Sequence, residues 1–151
     1  MENEFNHKWL TTDNRDETLK AVWDALMEVP CEAELAREHD HSFADFKASY
    51  NNAQVIGILV GNELAGGAII NEKRMHISVG RKYRARWFKS FKPLMEWVFD
   101  LYGSLLFTSA NKKNHEAIAF LGRVGCRVIG EGIASLHFKI EKEGMYYGRT
   151  R

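Results

Sequence analysis

The segment that most limits the fold is a pair of apolar runs, AQVIGILV at residues 53–60 and ELAGGAII at residues 63–70. Both runs are typical of β-strands, and only Gly61 and Asn62 separate them, a pair that favours a two-residue hairpin turn. A further turn leads into MHISVG at residues 75–80, where apolar and polar residues alternate. The centre of the chain is therefore predicted to form antiparallel strands.

Helical spacing governs the segments around this centre. Apolar residues recur every three or four positions in RDETLKAVWDALME, residues 15–28, and Pro30 is predicted to end that helix. A second helical stretch is expected at residues 32–50, with a break near residues 39–42. Two more helices are expected after Phe91 and after Asn114.

The order of the elements predicts a mixed α/β domain. Further strands are expected at residues 4–12, 104–110, 126–132 and 133–140, so the order is β-α-α-β-β-β-α-β-α-β-β. A strand, a helix and a strand in succession usually form a parallel crossover. The prediction is a mixed, mostly antiparallel sheet of about six to seven strands with about four helices. The chain is 151 residues long, is 45% hydrophobic and has only two prolines, so residues 1–151 are predicted to form a single domain.

Charge and cysteine content exclude several classes of protein. The formal net charge is +1, from 21 basic and 20 acidic residues, so the whole chain has no strong attraction to nucleic acid or membranes. Cys31 and Cys126 are far apart in sequence and suggest neither a disulfide framework nor a metal site. No apolar run approaches the roughly 18 residues that span a bilayer. We expect a soluble cytoplasmic protein.

The segment ISVGRKYRARWFKSF, residues 77–91, combines a strand, a strongly basic turn and the start of a helix. Phosphate-binding loops usually have this arrangement. Glycine is absent from the turn itself, since Gly80 precedes it and a tryptophan lies within it. The cationic residues of the turn are Arg81, Lys82, Arg84, Arg86 and Lys89.

Three local patterns resemble the GNAT superfamily of acyl-coenzyme A dependent N-acyltransferases, over about residues 5–140. VGNELAGGA at residues 60–68 resembles the hairpin between the second and third strands of that family. VGRKYR at residues 79–84 is similar to its strand-end pattern Val-x-Pro-x-Tyr-Arg, and NHEAIAFLGRVGC at residues 114–126 is similar to its Asn-x-x-Ala helix. The resemblance implies the GNAT fold, acetyl-CoA (or coenzyme A) as the co-substrate, and a small-molecule or protein amine as the acceptor.

The phosphate loop departs from the family pattern Arg-x-x-Gly-x-Gly/Ala, which presents backbone N–H groups to the coenzyme pyrophosphate. Counting from Arg84, the glycine positions hold Trp87 and Lys89, and Ala85 stands where a glycine commonly follows the arginine. Glycine allows the backbone to approach an anion closely. Cationic side chains could replace the backbone N–H groups here. The predicted cofactor-binding residues are Val79, Arg81, Arg84, Ala85, Arg86, Trp87, Lys89 and Asn114.

Pro93 predicts that the helix after the basic turn starts late. Proline is tolerated in the first turn of a helix but not in its second turn. A helix that begins at Arg86 or Trp87 places Pro93 in the second turn, whereas a start near Ser90 places it in the first. We predict a longer loop or a kinked helix, a displaced phosphate cradle, and the Ser90 hydroxyl as the N-cap.

Three interpretations of the basic turn remain open. Its cations could hold the phosphates of the coenzyme. With Tyr83 and Trp87 available for stacking, the turn could instead bind an acidic protein surface or, less favoured, nucleic acid. It could also be a solvated basic face on which Trp87 anchors the helix.

The resemblance leaves the catalytic groups incomplete, because the family's usual tyrosine acid corresponds to Leu121. Tyr83, Tyr146 and Tyr147 are the remaining candidates for that acid. His76, on the strand before the basic turn, is the first candidate for the base, since histidine titrates near neutrality. Glu72, in the preceding turn, is the second.

Asn114 also has two interpretations, coenzyme contact or helix N-cap, and the cap is favoured. The C-terminal GMYYGRTR, residues 144–151, is interpreted as a frayed terminus, with a partner-binding tail as the alternative. The last two strands are possible contacts for a homodimer.

A second resemblance supports a different function. Residues 78–97 and 114–125 resemble GNAT-like proteins of tailed phages, including virion and head-assembly proteins. This implies a catalytically inactive protein with a structural or host-interaction role and a location in the virion. An open cleft between the fourth and fifth strands would favour the enzyme, and a filled cleft would favour the binding protein.

Overall fold

A computed structural model describes residues 8–148 and contains one seven-stranded sheet with helices on both faces. The strand order is β1-β2-β3-β4-β5-β7-β6, and all neighbours are antiparallel except β4 and β5. The predicted mixed, mostly antiparallel sheet is confirmed. The elements are β1 (Leu10–Thr11), α1 (Arg15–Met27), α2 (Pro30–Glu38), α3 (Phe43–Ser49), β2 (Gln54–Val60), β3 (Glu63–Asn71), β4 (Arg74–Val79), α4 (Phe91–Tyr102), β5 (Leu105–Asn111), α5 (His115–Arg123), β6 (Arg127–Glu131) and β7 (Ser135–Glu141).

The helical region before the sheet differs from the prediction in three ways. The described chain has five α-helices where about four were expected, because the second helical stretch is two separate helices, α2 and α3. The break lies where it was predicted. Pro30 does not end α1, which stops at Met27, but occupies the first position of α2, where its missing N–H is harmless. The first strand is confined to β1, and residues 4–7 of the predicted strand lie outside the described residues.

Register places the two faces of β4 against different helices. His76 pairs with Ile69, which packs with Leu19 and Val22 of α1. Met75 pairs with Ile70 in the core on the other face, beneath α4. The alternation predicted from the sequence therefore gives β4 one face towards α1 and one towards α4.

Two apolar cores result, one on each face of the sheet. The larger core packs α4 and α5 against the sheet, and its fully buried members include Ile56, Phe91 and Leu106. The smaller core packs α1 and α3 against the opposite face around Leu19 and Phe46. Burial of apolar surface on both faces is the main favourable contribution to stability.

Gly66 allows β3 and β4 to approach each other at the end of β4. It pairs with Val79, and a Cβ at this position would lie 2.1 Å from the carbonyl oxygen of Ser78. Any side chain would therefore displace the strand end that leads into the basic turn.

The basic turn is long, and α4 begins at Phe91 with Pro93 in its first turn. The predicted late start is therefore confirmed. Two short 3-10 turns, Arg81–Tyr83 and Phe88–Ser90, lead into the helix. Ser90 precedes α4, but its hydroxyl makes no capping hydrogen bond, and its buried Oγ has no partner among the described residues. The capping role expected of Ser90 is wrong, because its backbone already has helical dihedral angles (φ −83°, ψ −15°).

The described part of the C-terminal segment is packed and not frayed. The Tyr146 backbone N–H donates to the Val124 carbonyl at 2.9 Å, and the Tyr147 ring lies 5.7 Å from that of Phe91. Residues 149–151 lie outside the described residues. None of the helices described is long and apolar enough to cross a membrane.

Candidate functional site

An opening in the sheet separates β4 from β5. The two strands share one pair, Arg74 with Phe107, and the Phe107 N–H donates to the Lys73 carbonyl at 2.8 Å. Beyond this pair a cavity of about 710 Å³ lies between them, within the range typical of small-molecule sites. Residues 75–79 of β4 and 108–111 of β5 line it.

The cavity extends to both faces of the sheet, because helices from both layers line it. Apolar residues of α4, α5 and the basic turn form one wall: Trp87, Phe91, Met95, Ala117, Phe120 and Leu121. Residues of α1, α2 and the segment between them form the other: Ala25, Leu26, Val29, Glu32 and Leu35. Arg84, Asn114 and Glu116 add polar groups where the basic turn meets α5. The site is thus an apolar passage with polar groups at its rim.

Acidic side chains offset part of the charge of the basic turn. Arg84 forms an ion pair with Glu116 in the first turn of α5, and this pair lowers the pKa of the glutamate. The Arg81 backbone N–H donates to the Glu28 carboxylate at 2.7 Å, and its guanidinium lies 4.0 Å from Glu116. Sequence charge alone could not show this, because the acids come from distant elements.

Four predicted cofactor-binding residues do not line the cavity: Arg81, Ala85, Arg86 and Lys89. Ala85 is exposed, and the Arg86 guanidinium lies 5.9 Å from the centre of the Tyr83 ring. The Lys89 ammonium lies 5.4 Å from the Trp9 ring. The cavity therefore brings together only Val79, Arg84, Trp87 and Asn114 from the predicted set.

Trp87 occupies a glycine position of the family pattern and is buried, with 9% of its surface exposed. Its ring lies 5.9 Å from that of Phe91 and 5.5 Å from that of Phe120. The tryptophan thus joins the turn to α4 and α5 as part of the core. Such packing matches the helix-anchor interpretation and leaves the ring unavailable for stacking on a base from solvent.

His76 lines the cavity, whereas Glu72 does not. His76 Nε2 lies 2.8 Å from Ser78 Oγ, and burial lowers the pKa of the imidazole to about 4. The ring is therefore neutral at pH 7, but it is a weak base. Glu72 lies in the turn before β4 with φ 60° and lines a separate cavity of about 470 Å³, which His76 also borders.

The three tyrosine candidates for the acid are absent from the lining of the large cavity. The Tyr83 hydroxyl donates to the Glu63 carboxylate at 2.7 Å, which raises the pKa of the tyrosine. Tyr146 is exposed, and Tyr147 packs against Phe91. Three strand residues that carry hydroxyl groups do line the large cavity: Ser78, Thr108 and Ser109.

Asn114 caps α5, since its Oδ1 accepts the Ala117 N–H at 3.2 Å. The same side chain hydrogen-bonds to Glu32 of α2, which favours the charged form of that carboxylate, while burial raises its pKa more strongly. Sequence reasoning missed Glu32. No local motif marks it, and only the packing of α2 beside the start of α5 reveals it.

No protein-family model and no curated protein matches the chain in sequence. Solved structures match it in three dimensions. PH1933 from Pyrococcus horikoshii superposes with a TM-score of 0.65 and 14% identity, over 87% of this chain and 96% of that one. The paia N-acetyltransferase from Thermoplasma acidophilum, in complex with coenzyme A, superposes with a TM-score of 0.63 and 12% identity, over 87% of this chain and 97% of that one. An acetyltransferase of the GNAT family from Staphylococcus aureus superposes with a TM-score of 0.60 and 9% identity, over 88% of this chain and 98% of that one. The chain has the GNAT fold.

Within the GNAT fold, the three segments that resembled the family lie on the expected elements. Residues 60–68 lie in the β2–β3 hairpin, Val79 ends β4, and Asn114 is the N-cap of α5. The glycine-free turn is the departure, and the late start of α4 accompanies it. Among the described residues, no three His, Cys, Asp or Glu side chains are placed to hold a metal ion.

Proposed function

We propose that the protein is an acetyl-CoA dependent N-acyltransferase that acts on an amine in the cytoplasm. The observation that carries this proposal is the open cavity between β4 and β5, which reaches both faces of the sheet. A thioester and an amine can then enter from different sides and meet between the strands. In a binding protein that had given up catalysis, side chains would be free to fill this space.

In this proposal Arg84 binds the coenzyme phosphates at the rim of the cavity. The guanidinium makes charge-assisted hydrogen bonds that do not depend on glycine geometry. Arg84 forms an ion pair with Glu116 when no other anion is bound, so the phosphates must displace the Glu116 carboxylate from the guanidinium. Val79 and Asn114 contact the remainder of the coenzyme, and Trp87 shapes the apolar wall.

The reaction is attack of an amine nitrogen on the thioester carbonyl. A C–N bond forms, the C–S bond breaks, the nitrogen loses a proton, and the departing thiolate gains one. His76 is neutral at pH 7 and can accept a hydrogen bond from the amine, although its pKa of about 4 makes it a weak base. Its Nε2 lies 2.8 Å from Ser78 Oγ, which is the one side-chain hydrogen bond recorded for this ring among the described residues.

A second candidate function is a non-catalytic GNAT-like protein, as in the phage resemblance. The observation that favours it is the pairing of the basic turn with its own acids: Arg84 with Glu116, and Lys82 with Glu63 at 3.7 Å. A turn that is neutralised in this way has less attraction for phosphate. In that case the protein would have a structural or host-interaction role and no acyl transfer.

Calorimetric titration with acetyl-CoA, and with coenzyme A, tests the first candidate. We expect micromolar binding that weakens in raised salt and weakens roughly tenfold or more in Arg84→Ala. Arg127→Ala is the matched control, because Arg127 is exposed on β6 and outside the cavity lining. Absence of binding at high micromolar ligand would reject the enzyme in favour of the second candidate.

A further inference from the structure

Glu32 is a cavity-lining carboxylate that the proposed reaction does not yet use. It lies half-buried in the first turn of α2. Among residues 8–148, no lysine, arginine or histidine nitrogen lies within 4.0 Å of its oxygens. The charge of Lys113 acts on the neighbouring Cys31 thiol, yet it makes no ion pair with Glu32. The described chain therefore leaves this carboxylate without a counter-cation.

The surroundings of Glu32 are those of a binding group and not of a solvated surface charge. Leu26, Val29 and Leu35 line the same wall, so the carboxylate is partly desolvated, and burial raises its pKa. Asn114 counteracts this effect by hydrogen bonding from the start of α5. A partly buried charge that lacks a partner is costly, and the arrival of a cation relieves that cost.

The two cavity-lining glutamates, Glu32 and Glu116, differ in whether a cationic side chain neutralises them, and this difference separates their roles. Glu116 already has Arg84 as its counter-ion, and its side chain is 59% exposed. Glu32 lines the cavity on the α1–α2 side, and the side chain recorded as a hydrogen-bond partner within residues 8–148 is the uncharged Asn114. A cationic group of a ligand that reaches the α1–α2 side of the cavity would therefore meet one uncompensated carboxylate, and an anionic group at that position would be repelled by it.

On the basis of the proposed function, we propose that Glu32 binds an ammonium group of the acceptor within the cavity, so that the acceptor is a cationic amine and not a neutral or acidic one. Asn114 positions the carboxylate and leaves oxygen lone pairs available to the ligand. Selection between acceptors then depends on a charge-assisted hydrogen bond. The coenzyme does not need Glu32.

The test is calorimetric titration of the whole protein with 1,4-diaminobutane and with 4-aminobutanoate, in which a carboxylate replaces one ammonium. We expect the diamine to bind more tightly than the amino acid. Glu32→Gln should weaken diamine binding roughly tenfold or more and reduce the difference between the two ligands. Glu34→Gln is the matched control, because Glu34 is exposed on the same helix and does not line the cavity. Glu32→Asp keeps the charge and should retain part of the affinity.

Equal diamine affinities in the wild-type protein and in Glu32→Gln, or no diamine binding at all, would overturn the assignment. Acetyl-CoA is titrated in parallel and should bind both proteins equally. Diamine binding that depends on Glu32 without acetyl-CoA binding would reject the enzyme and keep the cation site. The reverse result would keep the enzyme and reject the cation site. In turnover assays Glu32→Gln should raise KM for the diamine more than it lowers kcat.

Discussion

Arg84 and Glu116 form an ion pair that joins the turn after β4 to the first turn of α5. Both residues line the cavity, so the cation proposed to bind phosphate already has an anionic partner. The Glu116 carboxylate and a coenzyme phosphate would therefore compete for the Arg84 guanidinium. Coenzyme affinity should therefore depend on the acid as well as on the base.

We predict that Glu116→Gln tightens acetyl-CoA binding roughly two- to fivefold, since Arg84 no longer has to leave a carboxylate. Calorimetry at low and raised salt provides the measurement. Glu17→Gln is the control, because Glu17 is an exposed acid in the first turn of α1 and changes the net charge equally. Unchanged or weaker binding in Glu116→Gln would mean that Arg84 does not bind the coenzyme.

Replacement of Trp87 should disrupt the fold and not restore a phosphate loop. Its buried ring packs on Phe91 and Phe120, so Trp87→Ala should lower the free energy of unfolding by about 3–5 kcal/mol. Urea denaturation measures this loss. Phe88→Ala, whose ring is 37% exposed, should cost clearly less. A loss below about 1 kcal/mol for Trp87→Ala would contradict the anchoring role.

Alanine substitution at the residues that precede α5 and α4, Asn114 and Ser90, should change the stability of the protein by different amounts. Asn114→Ala removes a real cap and should cost about 1 kcal/mol of stability or more, because Glu32 also loses its partner. Ser90→Ala removes a buried hydroxyl without a described partner, so stability should stay within about 0.5 kcal/mol or increase. Paired urea titrations compare them. A loss near 1 kcal/mol in Ser90→Ala would indicate a hydrogen bond that the structure does not contain.

His76 should make the protein less stable in mild acid. Burial lowers its pKa from 6.5 to about 4, so the unfolded chain takes up the proton first as the pH falls. The stabilisation is present above about pH 6.5 and is lost towards pH 4. Allowing for the partial exposure of the side chain, the loss should be roughly 2 kcal/mol.

His76→Gln lacks this titration, so urea denaturation at pH 7 and pH 4.5 should show a smaller loss of stability in the variant. Acidic groups elsewhere contribute equally to both proteins and cancel in the comparison. His39→Gln, at an exposed histidine between α2 and α3, should behave like the wild-type protein. Parallel pH profiles for His76→Gln and the wild-type protein would mean that burial does not shift the histidine.

Features set by neighbouring residues could be predicted from the sequence. The β2–β3 hairpin follows from Gly61 and Asn62, the late start of α4 from Pro93, and the α5 cap from Asn114. Each depends on the local dihedral angles of a few consecutive residues. The failure at Ser90 has the same origin, because a favourable residue type does not cap a helix when its own backbone is already helical.

The composition of the site could not be predicted in the same way. Arg84 meets Glu116 across 32 positions of sequence, and Glu32 reaches Asn114 only because α2 packs beside α5. Five cations in one turn suggested an anion site, but the acids that pair with three of them come from β3 and α5. Such contacts depend on tertiary packing, which leaves no periodic pattern in the sequence.

The separation of β4 from β5 also affects where strands of other chains could pair with the sheet. A sheet ordinarily exposes unpaired backbone groups at its two outermost strands, where foreign strands can add and start aggregation. Here the facing sides of β4 and β5 provide similar groups beyond the Arg74–Phe107 pair. Residues of α1, α2, α4 and α5 line this space, so a foreign β-strand has less access here than at an outermost strand. The opening is thus an internal edge flanked by helices, and not a further exposed edge at which aggregation can start.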